Sequence, residues 1–315
     1  MKGLTDVPGI LVGHASNYDA RTGCTVILAE GGAVAGVDVR GSAAEGQFAV
    51  LDPLHVTDRI HAVVFAGGSA FGIEATSGVR RYLEHKGIGF KTGAAIVPIV
   101  VGSVLYDLAF AKPGIRPTRE MGETASGAAT ADAVVEGNVG AGTGATVGKI
   151  LGMKNSMKSG IGTWTITLES GVIVSALVAV NAVGDVRDPR SNKILAGTRK
   201  SADSLEFADS ERLVLGGTRG GFPSANTTLV CVATNAALDK IQAKKLAQFA
   251  SNGVSRAISP VNMMSDGDTV YALSVGTLKA NIDTLGVAAA EAVAQSIVRA
   301  VTQAKPLGGL PGLLR

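Results

Sequence analysis

The sequence predicts an α/β fold in which two buried sheets lie against each other beneath outer helices, a four-layer αββα sandwich, and three observations carry that prediction. Hydrophobic residues make up 46% of the chain and charged residues 17%, a balance that suits extensive burial and excludes disorder. The 42 glycines are spread throughout and bracket short Val/Ile/Ala-rich runs, the pattern of buried strands joined by tight turns. Amphipathic stretches follow several of these runs, so each sheet has one face for its partner and another for helices.

Strands are expected at Cys24 to Leu28, Ala62 to Phe65, Ile96 to Val101, Gly171 to Asn181, Thr228 to Thr234 and Val270 to Val275, all short, apolar and rich in β-branched residues. From Ala70 to Lys86, Ile73, Val79 and Leu83 recur near helical spacing, with Gly87 placed as a stop. Asp239 is an N-cap for a helix carrying Ile241, Leu246 and Phe249, which Gly253 would end. Near the C-terminus Val293, Ile297 and Val301 repeat every four residues. The segment from about Asp185 to Pro223 is charged and aperiodic, and reads as a long surface excursion leading to Asn226. At 315 residues a single domain, 1–315, with a substantial core is expected.

Several function classes fall away on composition. The net charge is +3 and the basic residues form no stripe with interleaved aromatics, so nucleic acid is not an expected partner. Cys24 and Cys231 lie in apolar runs and read as small buried hydrophobes. No signal core opens the chain, and no stretch reaches the roughly 18 uninterrupted apolar residues of a membrane span. No membrane partner is expected, and a cytoplasmic enzyme is the plain inference. His14, His55, His61 and His85 are not at metal-ligand spacing.

Gly140-Ala-Gly-Thr-Gly-Ala145 fits GxGxxA, which keeps a nucleotide-binding enzyme as an alternative. Its context is poor, because no acid for a ribose occurs between Gly140 and Glu169. A P-loop at Gly148-Lys149 fails as well, with Thr143 in place of the leading glycine and Ile150 in place of the magnesium-binding hydroxyl.

Two segments place polar clusters directly before apolar strands: Ala-Asn-Thr-Thr-Leu-Val-Cys-Val-Ala-Thr-Asn-Ala at 225–236 and Ser-Asp-Gly-Asp-Thr-Val-Tyr-Ala-Leu at 265–273. On their own these are turns leading into strands. A calcium loop at Asp-Gly-Asp lacks its remaining ligands and closing glutamate. The spacing by two would let Asp266 and Asp268 point to one side of an extended segment.

Together with Val-Pro-Gly-Ile-Leu-Val-Gly-His at 7–14, Ala-Gly-Gly-Ser-Ala-Phe-Gly-Ile-Glu-Ala at 66–75 and Gly-Asn-Val-Gly-Ala-Gly-Thr-Gly-Ala at 137–145, these segments bring a family into view. Nearly end to end, the chain resembles the L-aminopeptidase/D-esterase family of self-processing N-terminal-nucleophile hydrolases, nearest its branch of nylon-oligomer amidases. The resemblance implies a precursor that cuts itself between Asn226 and Thr227, giving a larger piece 1–226 and a smaller piece 227–315 that carries the nucleophile. It implies hydrolysis of amide bonds in small peptides, amides or amide oligomers, with no metal or organic cofactor, by a homo-oligomer that is often a tetramer. A non-catalytic relative is the other alternative.

The chemistry behind that implication stands independently. A threonine hydroxyl is a poor nucleophile until a base takes its proton, and the α-amino group freed by cleavage is such a base, with a reference pKa of about 8. By resemblance, Asp266 and Asp268 are the acidic pair that orients Thr227, and Asn181 supplies an oxyanion donor. Tyr106 would hydrogen-bond the substrate carbonyl, and Lys149 would lower the nucleophile's effective pKa or steady an oxyanion. More typical aminopeptidases of the family carry Ser-Gly-Glu where this chain has Asp-Gly-Asp after Ser265. That departure favours Asp266 and leaves the role of Ser265 open. From their residue types alone, Asn181 also reads as a strand-ending turn residue, Tyr106 as a half-buried aromatic and Lys149 as a surface lysine.

Overall fold

The computed structural model describes residues 2–218 and 226–314. The strands of its main nine-stranded sheet are β1 (Leu11–Asn17), β2 (Thr22–Val39), β3 (Gly46–Gln47), β4 (Ile60–Ala66), β5 (Val100–Val104), β6 (Ile161–Thr167), β7 (Ile173–Asn181), β8 (Thr227–Ala236) and β9 (Thr269–Leu278). These are hydrogen-bonded in the order β6-β7-β8-β9-β2-β4-β5-β3, with β1 also on β2. The long strand β2 explains how one path makes two layers. Its Cys24–Leu28 stretch pairs with β4 and β1, whereas Val34–Val39 pairs with β9. The chain thus passes within one strand from one sheet to the other.

Alternation along the strands does the rest, since neighbouring side chains point to opposite faces. Ile27, Val63, Phe65 and Val101 of one sheet meet Leu177, Leu229, Cys231, Tyr271 and Leu273 of the other in an inter-sheet core. Phe65 and Tyr271 pack with ring centroids 6.2 Å apart, and the Tyr271 hydroxyl is satisfied by Ser103 Oγ at 2.6 Å. The opposite set, Cys24, Val26, Leu28, Ala62 and Val64, packs under helices α1 (Ala75–His85) and α2 (Arg119–Gly127). Likewise Ala176, Val178, Val230, Val232 and Val270 pack under α3 (Lys240–Ala257) and α4 (Ile282–Thr302). The four layers are therefore helix, sheet, sheet, helix, as the composition predicts. Each fully buried large side chain contributes about 1.5–3 kcal/mol relative to exposure.

The helices show why the local signals worked or failed. Asp239 caps α3 as expected, its side chain accepting from Gln242 N while Gln242 reciprocates to Asp239 N. Gly253 does not end that helix, which runs on to Ala257. A Cβ there would overlap the carbonyl of Ala290 on α4, so this glycine serves a close helix crossing. The helix expected over 70–86 begins as a 3-10 turn, Ser69–Glu74, before α1. The strand expected over 96–101 is split at Pro98 into Ile96–Val97 and Val100–Val104, since proline has no N–H to give a ladder. By length and composition α4 could cross a membrane, but 67% of its most apolar window is buried inside the protein, as befits a core helix.

The expected surface excursion from Asp185 is only partly on the surface. Asp185 is buried and accepts from Thr198 N at 2.7 Å, Ser210 N at 2.6 Å and Ser210 Oγ at 2.6 Å. Residues Asp185–Arg187 pair with both Ile194–Ala196 and Ile258–Ser259. One buried carboxylate thus folds the charged segment back on itself, which periodicity cannot reveal. Residues 219–223 of that expectation lie outside the described residues.

Candidate active site

Three neighbouring strands deliver the site. Asn181, the last residue of β7, sits opposite Thr227, the first of β8. On the other side, β8 runs parallel to β9, and just before these strands Asn226 bridges Asp266. Strand register therefore brings together segments far apart in sequence.

Thr227 is 5% exposed, with Asn226 and the two aspartates also buried. The Thr227 hydroxyl donates to the Asn226 carbonyl oxygen at 2.6 Å. The same oxygen accepts the Gly267 amide at 2.7 Å. A Cβ on Gly267 would lie 2.7 Å from Thr227 Oγ1, so only glycine gives this backbone so close an approach. The peptide bond between Asn226 and Thr227 is thereby held with a hydroxyl on one side and a backbone donor on its oxygen.

The carboxylates bind backbone rather than the hydroxyl. Asp268 accepts from Thr228 N at 2.5 Å and Asn262 N at 3.1 Å. Asp266 accepts from Met263 N at 2.8 Å, while its other oxygen is buried without a hydrogen-bond partner among the described residues. Burial, then repulsion by Asp268, pushes the Asp266 carboxyl well above the usual range, against the Met263 amide and Lys149. Asp268 is pushed up by burial, against the hydrogen bonds from Thr228 and Asn262. Ser265 is half-buried beside them.

Lys149 is a buried residue, which removes its surface alternative. Its ammonium donates to Asn181 O at 2.8 Å and Asn181 Oδ1 at 2.9 Å. Burial lowers its pKa to about 7, opposed by Asp266, Asp107 and Asp268. The amide of Asn181 has a defined orientation. Its oxygen also accepts Thr146 N at 3.1 Å, and its nitrogen donates to Tyr106 O at 2.9 Å. Because Thr146 N–H and the Lys149 ammonium can only donate, the oxygen must face them. Tyr106 meets this group through its carbonyl, and its side chain is half-buried.

Thr227, Asn226, Asp266, Asp268, Lys149 and Asn181 are thus assembled around one peptide bond, with Tyr106 joined through its backbone. Sequence reasoning missed the Gly267 and Thr146 amides, because every non-proline residue carries an N–H. It also missed Asp107 and Lys158, buried charges behind Asn181. The signal available for Lys158 was a lone cation in Met157-Lys-Ser-Gly-Ile161. Among the described residues, no three of His, Cys, Asp and Glu come together to hold a metal ion.

The glycine-rich stretch is not a nucleotide loop. Gly140–Thr143 forms a 3-10 turn that leads to the short strand Thr146–Val147 rather than to a helix. Its amides are occupied within the protein, Gly140 N by Ser16 Oγ and Ala141 N by Thr25 Oγ1. Phosphate cradles need those donors free.

A family model described as peptidase family S58 matches residues 2–314. An uncharacterized aminopeptidase of Mycobacterium bovis is 34% identical, over 99% of this chain and 96% of its own length. A 6-aminohexanoate-oligomer endohydrolase of Kocuria sp. is 28% identical over 94% of this chain and 84% of its own. Among solved structures, the L-aminopeptidase D-Ala-esterase/amidase of Ochrobactrum anthropi, described as a variant of the Ntn-hydrolase fold, superposes with a TM-score of 0.75 at 22% identity. That superposition covers 98% of this chain and 88% of the other. The shared fold and a match that spans the whole described sandwich lead to one conclusion: this chain belongs to peptidase family S58.

Proposed function

We propose that the chain is a self-cleaving amidohydrolase that cuts between Asn226 and Thr227 and then uses Thr227 as an N-terminal nucleophile. The observation that carries this reading is the Asn226 carbonyl, which takes the Gly267 amide at 2.7 Å and the Thr227 hydroxyl at 2.6 Å. In the first reaction Thr227 Oγ attacks the Asn226 carbonyl carbon and gives up its proton. Negative charge develops on the oxygen already held by Gly267 N–H, where a preorganised donor acts in a buried site. The C–N bond breaks, the Thr227 nitrogen takes the proton that the hydroxyl gave up, and an ester is left on Oγ. Water then hydrolyses the ester, leaving a carboxylate on Asn226 and a free hydroxyl and amine on Thr227.

In later turnovers the new α-amino group takes the hydroxyl proton. The acyl part of the substrate moves to Thr227 Oγ, the leaving amine takes a proton, and water releases the acid. Asp266 and Asp268, held by the amides of Met263, Thr228 and Asn262, are the acids beside the new ammonium. One Asn181 amide proton goes to Tyr106 O, and the second serves a developing oxyanion. Lys149 fixes Asn181 through both oxygens and supplies positive charge. Its pKa near 7 suits proton exchange at neutral pH.

The substrate class is small peptides and amides, short amide oligomers included, a reading supported by relatives named as an aminopeptidase and as an endohydrolase of 6-aminohexanoate oligomers. A panel of aminoacyl p-nitroanilides, β-peptides and linear amide oligomers tests this with wild type and Thr227→Ala. Wild type should turn over at least one group, and Thr227→Ala none. Equal turnover by the two proteins would defeat the reading.

A further inference from the structure

The Asn181 side chain rests between two peptide planes; a buried ammonium grips the first, and a buried carboxylate anchors the residue that forms half of the second. The first is Ala145–Thr146. Its N–H donates to Asn181 Oδ1 at 3.1 Å, and its carbonyl accepts Lys158 Nζ at 2.5 Å. Because a trans peptide is planar, with N–H and C=O pointing in opposite directions, fixing the carbonyl aims the N–H. Lys158 is 0% exposed and also donates to Gly142 O at 3.0 Å and Ser159 O at 2.6 Å. The second plane is Tyr106–Asp107, whose carbonyl accepts Asn181 Nδ2 at 2.9 Å. The Asp107 carboxylate is anchored by Thr22 Oγ1 at 2.6 Å and Gly68 N at 2.7 Å. A Cβ on Gly144 would overlap that carboxylate, so the two gripping segments also pack on each other.

We propose that Lys158 and Asp107 are positioning residues for the chemistry at Thr227, locking the peptide planes 145–146 and 106–107 and so fixing the direction of the Asn181 amide. The glycine-rich stretch 140–145 gains a role by this route: its carbonyls converge on an ammonium. Isolated buried charges cost several kcal/mol each, so a shape-filling apolar residue would serve mere packing better. Burial holds the Lys158 pKa down to about 7 against the attraction of Asp107, and burial pushes the Asp107 carboxyl up. The opposite charges steady each other and also reach Lys149, which faces Asp107, Asp266 and Asp268, with Lys158 as the opposing cation.

This inference rests on the proposed function, and its test separates the two. Full-length Lys158→Met and Asp107→Asn are compared with wild type by intact mass, thermal melting, and kcat and KM on an aminoacyl p-nitroanilide across pH. Folded variants should show kcat lowered by about tenfold or more, with KM within about twofold. Asp107→Asn removes an anion that helps Lys149 keep its proton, so the basic limb of kcat should move down by about one pH unit. Should Lys158→Met not fold, Asp107→Asn, which keeps the side-chain shape, decides alone. A folded variant whose kcat and pH profile stay within about twofold of wild type, or whose loss lies only in KM, overturns the positioning role. Wild type that is neither cleaved nor active overturns the proposed function and this inference with it.

Discussion

The amide of Gly267 donates to the carbonyl oxygen of Asn226 at 2.7 Å, beside a bridge that joins the segments just before two parallel strands. This contact joins fold to chemistry. Parallel pairing of β8 with β9 fixes how far Gly267 stands from Asn226, and the missing side chain leaves room for the Thr227 hydroxyl. Gly267→Ala places a methyl 2.7 Å from Thr227 Oγ1, so the hydroxyl or the backbone must shift. Self-cleavage should slow by about 100-fold while the melting temperature changes little. Cleavage at the wild-type rate in a time course of intact mass would show that the approach is unimportant.

Acid stability has a specific weak point at His14. Burial lowers its pKa from 6.5 to about 4, so the folded protein keeps the ring neutral where the unfolded chain protonates it. The stability this provides is present above pH 6.5 and is lost as pH falls through about 4. Relative to His14→Gln, wild type should lose on the order of 1–3 kcal/mol over that window. Urea melts at several pH values check it, and parallel stability curves for the two proteins would refute it.

Asp239→Ala removes the side chain that accepts from Gln242 N at 2.7 Å and half of a reciprocal cap. The expected loss is about 1 kcal/mol, with kcat unchanged because α3 supplies no group to the site. Denaturant unfolding together with steady-state kinetics measures both.

Phe65→Ala would empty part of the inter-sheet core, where Phe65 is 0% exposed and packs on Tyr271. The expected cost is about 3–5 kcal/mol. Because Tyr271 lies on β9, three residues after Asp268, activity should fall at temperatures below global unfolding. A loss under 1 kcal/mol, on the scale of a surface change, would mean that the sheets do not stack as described.

Much of this was legible because burial leaves a pattern. Val293, Ile297 and Val301 show helical spacing and all lie in the core, and β8 and β9 stand out as apolar runs behind polar clusters. Gly253 misled because a glycine at a helix crossing and one at a helix end look alike in one dimension. Asp185 misled because a charge that organises a buried turn is indistinguishable, in sequence, from one in solvent. At the site, Asp266, Asp268, Lys149, Asn181 and Tyr106 came to notice through the resemblance rather than through their spacing. Gly267 N–H and Thr146 N–H left no trace, since what matters there is backbone direction set by partners far away in the chain. Lys158 likewise reaches the plane beside Asn181 through a short two-stranded ladder in which it pairs with Thr146, and Asp107 through the loop that follows β5.

The central claim is that Thr227 is both the point of self-cleavage and the nucleophile. The most direct measurement is intact mass with N-terminal sequencing of purified wild type and Thr227→Ala. Wild type should separate under denaturing conditions into pieces 1–226 and 227–315, the second beginning with Thr227-Thr228, while Thr227→Ala stays a single inactive chain. An uncut wild type that still hydrolyses amides, or a Thr227→Ala chain that cleaves at the same bond, would contradict the account.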